Sequence, residues 1–339
     1  MFEKFNIDNL EDSSKLLEAK IEQAKGQIDE LLLIEQKTYK NFVTPYQEIG
    51  EKLNDFITPI FHIDSVKNSE ITNRVYQECL PIISNYETEL GQNDNIYTAL
   101  IDIQSNDKTS LNDIQNKVLE NEIRDFKLSG CHLNNNEKDQ LKKINLELGE
   151  LSHSFSQNLL DATKEYEMIV EDFEEVKELP QSDLALAAYE EDGHTKYKFT
   201  LQMPSYIAYI TYGSSREKRE EIYRAYSTKA PQNGELIKKI LKLKDTKVNI
   251  LGFDCYAQYS LSTKMANSEK EVIGFLEELG EKAKNRALEE IEELKEFALK
   301  DGITKLESYD MAYYSEKLKE EKYDIDEEYY RPYFEEQSV

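Results

Sequence analysis

Residues 134–160 read NNNEKDQLKKINLELGELSHSFSQNLL, and the spacing of their apolar side chains decides the kind of fold this chain adopts. Leu141, Ile144, Leu148, Leu151, Phe155 and Leu159 recur every three or four residues, which puts them on one side of an α-helix. Asn134 can cap the first turn, with Glu137 three residues on in reciprocal capping spacing. Such a stripe is a packing face, to be covered by other helices, and implies no cofactor.

The same period runs outward in both directions. Upstream, Leu17, Ile21, Ala24, Ile28 and Leu31 mark a helix over about 11–37. A second is expected over about 46–62, started by Pro45 and bent at its end by Pro59, and a third over about 70–90 with a kink at Pro81. Ser110 is expected to open a helix carrying Leu111, Ile114, Val118 and Ile123, with Gly130 at its exit. Between about 166 and 202 the period changes. YEMIV and KYKFTLQ alternate as strands do, and LALAAYEEDGHTKYKFTLQ reads as a hairpin about Asp192-Gly193. Helices then return, with capping-box spacing at Ser214/Glu217 and Ser268/Glu271. The second box starts a long helix with Val272, Leu276, Leu279, Ala283, Ala287, Ile291, Leu294 and Ala298 on one face, ended by Asp301-Gly302. The expected architecture is mainly α with a small β-hairpin insert: a helical region 1–165, the insert 166–203, and a helical region 204–339.

Composition narrows the function. Twelve glycines and seven prolines in 339 residues leave little room for the turns of an all-β fold. The net charge of −26 disfavours nucleic-acid backbones, whose binding needs clustered Lys and Arg. No apolar run approaches the roughly 18 residues of a membrane span, and the opening MFEKFNIDNLED lacks a signal peptide's basic start and apolar core. Cys79, Cys131 and Cys255 are widely spaced and odd in number, as expected of free thiols in a reducing cytoplasm. The expected location is cytoplasmic, with neither nucleic acid nor membrane as partner.

Motif chemistry is sparse. His62, His132, His153 and His194 form no H-x-x-x-H pair, so a helical zinc site with a carboxylate base between two imidazoles is missing. Phosphate-binding glycine loops and the G-x-S-x-G elbow are also missing. Acid pairs such as Glu174-Glu175 are expected by chance among 68 acids, and no histidine adjoins Cys255 to activate it.

One set of segments is specific. FKLSGCHL, ELSHSFSQNLLDAT, MPSYIAYITYGSSREKREE, REEIYRAYSTKA, LGFDCYAQYSLSTKMANSEKEVIGFLEEL, DMAYYSEK and RPYF, in that order, resemble the thimet oligopeptidase and oligopeptidase A family of zinc metallopeptidases. The resemblance is strong over about 126–339 and general before that. Tyr309 stands where relatives often carry Trp, and Lys244 where they often carry Arg; the second change would lose a bidentate carboxylate contact.

The resemblance implies a mostly helical, two-lobed, zincin-like fold around a channel. Short peptides would be cut there by a zinc held on an H-E-x-x-H helix and a further Glu. The chain ends before that motif, so it is expected to be the N-terminal, channel-forming part. It would hold no catalytic zinc and be inactive alone, with the C-terminal catalytic lobe as its missing partner. On this view the tyrosine-rich residues 309–334 are an internal segment of a larger fold, and their aromatics would otherwise face water or find a substitute partner. A non-catalytic helical module that holds peptides without cutting them is the alternative. Tyr309, Asp310 and Tyr313, which precede the missing lobe, are the candidates for lining the channel; packing in the core is their other reading.

Overall fold

The computed structural model describes residues 7–107, 110–323, 327–330 and 333–334. The first six residues and Arg331-Pro332, cited above, lie outside them. In chain order the helices are α1 (Ser13–Leu32), α2 (Thr44–Val66), α3 (Glu70–Gly91), α4 (Asp94–Asp107), α5 (Asp113–Leu128) and α6 (Asn135–Glu165). Strand β1 (Glu167–Val170), helix α7 (Gln181–Ala187) and strands β2 (Ala188–Glu191) and β3 (His194–Thr200) follow. Then come α8 (Met203–Tyr212), α9 (Arg216–Ser227), α10 (Asn233–Ile250), α11 (Tyr256–Leu261), α12 (Glu269–Leu299) and α13 (Met311–Tyr323). The chain is mainly α with a small sheet. It forms two compact units: Met1–His153 with Lys238–Met265, and Ser154–Ile237 with Ala266–Val339.

The first unit is built from one-faced helices. Leu17, Ile21, Ala24 and Ile28 of α1 are buried against α2 and α3, which contribute Leu53, Ile57, Ile60, Val75, Cys79 and Ile83. The free Cys131 thiol is buried in the same core. Helix α4 adds Ile96, Leu100 and Ile103, a stripe flanked by the polar residues that obscure it in sequence. Pro45 sits in the first turn of α2, where its missing N–H costs nothing. Pro59 does not end that helix, which runs on to Val66 because the flanking Ile57 and Ile60 are buried and hold the turn in place. Helix α5 starts later than expected. Asn112 and Gln115, rather than Ser110, form its capping box, and Ile114 is left 76% exposed. The expected box at Asn134 is present: Glu137 N–H donates to Asn134 Oδ1 and Asn134 N–H to a Glu137 carboxylate oxygen, both at 3.1 Å. Leu141 and Ile144 of the α6 stripe are fully buried; its later members are half-buried.

In the second unit the sheet order is β1-β3-β2, antiparallel throughout. Glu191 pairs with His194, leaving Asp192 (φ 52°) and Gly193 (φ 77°) as a two-residue turn with both residues left-handed, which matches the strand twist. Met168, Val170, Tyr197 and Phe199 point into the core; Lys196 and Lys198 alternate outward onto Glu171, Glu191 and Glu167. Residues 181–187 are helical rather than the start of the hairpin arm, since Pro180 sets up a turn from which Ala187 is buried. Ser214 does not cap α9. Its N–H and hydroxyl bond Glu175 O and Glu174 O instead, and Ser215 takes the cap position without a side-chain bond. Ser268 does accept from Glu271 N–H, but the Glu271 carboxylate turns to Asn267.

Two stretches depart from what periodicity suggests. On α12 only Leu294 and Ala298 are buried, against Tyr313 and Tyr314; Leu276 and Leu279 are more than half exposed. A period reports that a face is apolar and says nothing of whether it is covered. In the tyrosine-rich end, Tyr313 and Tyr314 are buried within their own unit, whereas Tyr323, Tyr329, Tyr330, Tyr333 and Phe334 are exposed.

An added Cβ at Gly193 meets nothing within 4 Å, so backbone strain alone decides its replacement. Gly193→Ala should destabilise the second unit by about 1–2 kcal/mol. Gly280→Ala, in open space within α12, should stabilise by about 0.5–1 kcal/mol. Equilibrium urea unfolding of the two variants checks the opposite signs.

Candidate functional site

Arg216 and Arg219 lie one turn apart on α9, a three-residue spacing that points both guanidiniums the same way. They meet Asp310, which closes the 3-10 turn Ser308–Asp310 at the entrance to α13. Arg216 Nε donates to Asp310 Oδ1 at 3.0 Å and its Nη2 to Oδ2 at 2.8 Å. Arg219 Nη2 reaches Oδ1 at 3.2 Å, and Glu307 N–H reaches Oδ2 at 3.0 Å. Asp310 is 0% exposed and Arg219 1%. Arg219 Nη1 also donates to the carbonyls of Gly213 (2.8 Å) and Ser214 (3.1 Å), and Arg216 Nη2 to that of Lys305. Burial pulls the Asp310 carboxyl upward. The bonds from Arg216, the Glu307 N–H and Arg219 outweigh it and hold the group below its ordinary value.

Aromatic rings surround these charges. The Arg219 guanidinium lies 4.0 Å from the Tyr313 ring centre and that of Arg216 5.3 Å from Tyr309, which meets Tyr223 edge-on. Tyr313 donates its hydroxyl to Glu178 at 3.2 Å, and Lys317 bonds the same carboxylate. Tyr313, Glu178 and Lys317 line an open cavity of about 520 Å³, with Phe297, Glu316 and Glu320 among its other walls. Burial pushes the Glu320 carboxyl up, and the charges of Glu316 and Glu178 add to that.

Tyr309, Asp310 and Tyr313 therefore come together in one cluster. Asp310 is enclosed, with its two oxygens taken by the arginines and a backbone N–H; Tyr313 is buried but forms a cavity wall; Tyr309 is half-buried. Sequence reasoning missed Arg216, Arg219 and Glu178. The only local signal was a pair of arginines one turn apart, and their carboxylate lies 94 and 91 residues away.

Other residues weighed in the sequence have ordinary settings. His153 stacks on Tyr76 at 4.2 Å and shares a hydrogen bond with Asn73, and burial pushes its imidazole down. Glu174 and Glu175 pair with Lys177 and Lys218 respectively. Among the described residues, no three His, Cys, Asp or Glu side chains converge as a metal site would require.

Comparison with known proteins bears on this arrangement. Residues 9–138 match the model of the neurolysin/thimet oligopeptidase N-terminal domain, and residues 209–339, which include the arginine–aspartate cluster, match that of peptidase family M3. The chain is 38% identical over 336 residues to oligopeptidase A of Haemophilus influenzae, across 95% of this chain and 49% of that protein. It is 36% identical over 310 residues to oligopeptidase A of Escherichia coli (88% and 46%). With the probable cytosolic oligopeptidase A of Arabidopsis thaliana it shares 34% over 335 residues (94% and 48%). The chain belongs to peptidase family M3, in the oligopeptidase A group. It spans about half the length of the curated relatives it matches.

The depressed Asp310 carboxyl stabilises the fold above its ordinary value of 3.8, and this stabilisation is lost as pH falls through the lower folded-state value. Asp310→Asn should cost about 3–5 kcal/mol at neutral pH, because it leaves the buried Arg219 uncompensated. The difference from the native chain should narrow below about pH 4. Urea unfolding across pH measures it; a difference independent of pH would contradict this account.

Proposed function

We propose that this chain is the non-catalytic, channel-forming part of a cytoplasmic zinc metalloendopeptidase, of the oligopeptidase A type, that hydrolyses short peptides. The observation that carries the reading is the pattern of coverage. Oligopeptidase A relatives match nearly the whole chain, yet the chain spans about half of each. Two family models support it in chain order, an N-terminal domain followed by the peptidase family.

Among the described residues no set of donors fits the zinc the family implies. In this proposal the metal-binding H-E-x-x-H helix and its further Glu belong to the part of the relatives' length that this chain does not span. Of the three candidate channel residues, Tyr309 keeps accessible ring area to offer a peptide, with Asp310 holding the turn beneath it and Tyr313 walling the cavity. The three free cysteines favour the cytoplasm. Among the described residues no helix is long and apolar enough to cross a membrane.

Two measurements test the proposal. Labelled short peptides should bind the 339-residue chain and be recovered intact, by fluorescence anisotropy followed by mass spectrometry, with and without added zinc. Cleavage that copurifies with the chain and stops with a chelator would overturn it, and so would failure to bind any of a varied peptide set. Reading the coding sequence beyond residue 339 should reveal H-E-x-x-H; its absence there would remove the zinc peptidase assignment.

A further inference from the structure

Just past the end of α10, Gly252 (φ 82°) reverses the chain, and Phe253 N–H bonds back to Val248 O at 2.9 Å. That reversal brings α11 to the flank of α10, within the first compact unit. Lys244 and Lys247 are one turn apart on α10, and Tyr256 and Tyr259 are one turn apart on α11. The Lys244 ammonium lies 4.6 Å from the centre of the Tyr256 ring, and that of Lys247 lies 5.2 Å from the Tyr259 ring. The two ring centres are 5.7 Å apart, and Phe253 holds Tyr259 edge-on.

What sets these two cations apart is that they lie side by side, each over a tyrosine ring. Lys247 donates to the neutral Asn145 Oδ1 at 2.9 Å, and among the described residues neither lysine is in an ion pair. Elsewhere in the unit, Lys138 is paired with Asp94, and Lys25 and Lys142 with Glu89. The chain has 68 acids against 42 basic residues, so a half-buried cation without a carboxylate does not arise from a shortage of acids. Burial and the neighbouring Lys244 charge push the Lys247 amine below its ordinary value, which a bound anion would relieve. An ammonium has three donors, and Asn145 takes one of those on Lys247. Tyr256 is exposed, so solvent reaches the cluster.

We propose that Lys244 and Lys247, backed by Tyr256 and Tyr259, form a subsite that binds a carboxylate of a peptide ligand. The inference rests on the peptide-handling reading above and adds a recognition element to it. The rings fix the two ammonium groups without neutralising them, and an apolar residue beside the carboxylate can pack on the exposed Tyr256 face.

The test uses the full 339-residue chain and a fluorescein-labelled Ala/Leu pentapeptide in three forms: the free acid, the C-terminal amide, and an amide carrying one internal Glu. The free acid should bind roughly tenfold or more tighter than the plain amide, the worth of a charge-assisted hydrogen bond. Binding of the Glu peptide like the free acid would make side-chain carboxylates a second source; binding like the plain amide would restrict the subsite to the C-terminus. The Lys244→Met/Lys247→Met chain should lose the preference, and Lys247→Arg should keep it. Independently, in the reductively ¹³C-methylated chain, the Lys247 amine should titrate at higher pH with N-acetyl-leucine present and be unmoved by its amide. Acid and amide peptides bound equally overturn the subsite and leave the peptide-handling reading standing. A chain that binds no peptide but whose Lys247 responds to N-acetyl-leucine keeps the subsite and loses that reading. No response to either overturns both.

Discussion

Two arginines sharing one carboxylate hold together the part of the second unit on which its other features depend. Taking Asp310 and Arg219 out of water is costly, and attraction repays that only when the remaining donors and acceptors are also bonded. Here both carboxylate oxygens accept from arginine and one also from a backbone N–H, while Arg219 closes on two carbonyls at the end of α8. The cluster ties α9 to the turn before α13. With α13 so placed, Tyr313 lies under the Arg219 guanidinium and Tyr314 beside Phe297 of α12. The cavity next to Tyr313 follows from the same placement.

The satisfaction is incomplete. Among the described residues the buried Arg219 Nε meets no hydrogen-bond partner, and such a group costs about 1–3 kcal/mol. A well-packed apolar substitute would avoid that cost, so stability alone does not account for the cluster. What it adds is direction: planar guanidiniums meeting one carboxylate admit few registers between α9 and the 308–310 turn. The first unit has a different basis. Its helices are held by apolar stripes, with ion pairs such as Lys142–Glu89 at the exposed margins. Exposed pairs of that kind contribute little, typically under about 1 kcal/mol. The Lys244–Lys247 pair differs from those ion pairs in lying against tyrosine rings.

Much of the helical framework could be read from spacing. Asn134 with Glu137 marks the start of α6 because a capping box is a contact within four residues, and Asp192-Gly193 marks the hairpin because a two-residue turn demands left-handed backbone. Local competition blurred other boundaries. Ser110 and Asn112 can both cap a helix, and the side chain of Gln115 decided for Asn112. Ser214 had cap spacing but was drawn to the carbonyls of Glu174 and Glu175, forty residues upstream. Two of the three limits of the compact units fall inside α6 and α10, where a continuous period marks nothing, and the third lies between α11 and α12.

By itself, then, the sequence marked most of the helices and the hairpin, because each depends on residues within a few positions of one another, and its ordered motifs pointed to the family. It placed Tyr309, Asp310 and Tyr313 at one point along the chain without saying that Asp310 would be enclosed while Tyr309 stayed half-exposed. Tertiary structure alone decided which cation meets which acid across some ninety residues, which lysines meet rings, and which apolar face of α12 is left uncovered among the described residues. The reason is physical: hydrogen bonds and ring contacts act over a few ångströms of space, and distance along the chain does not encode them.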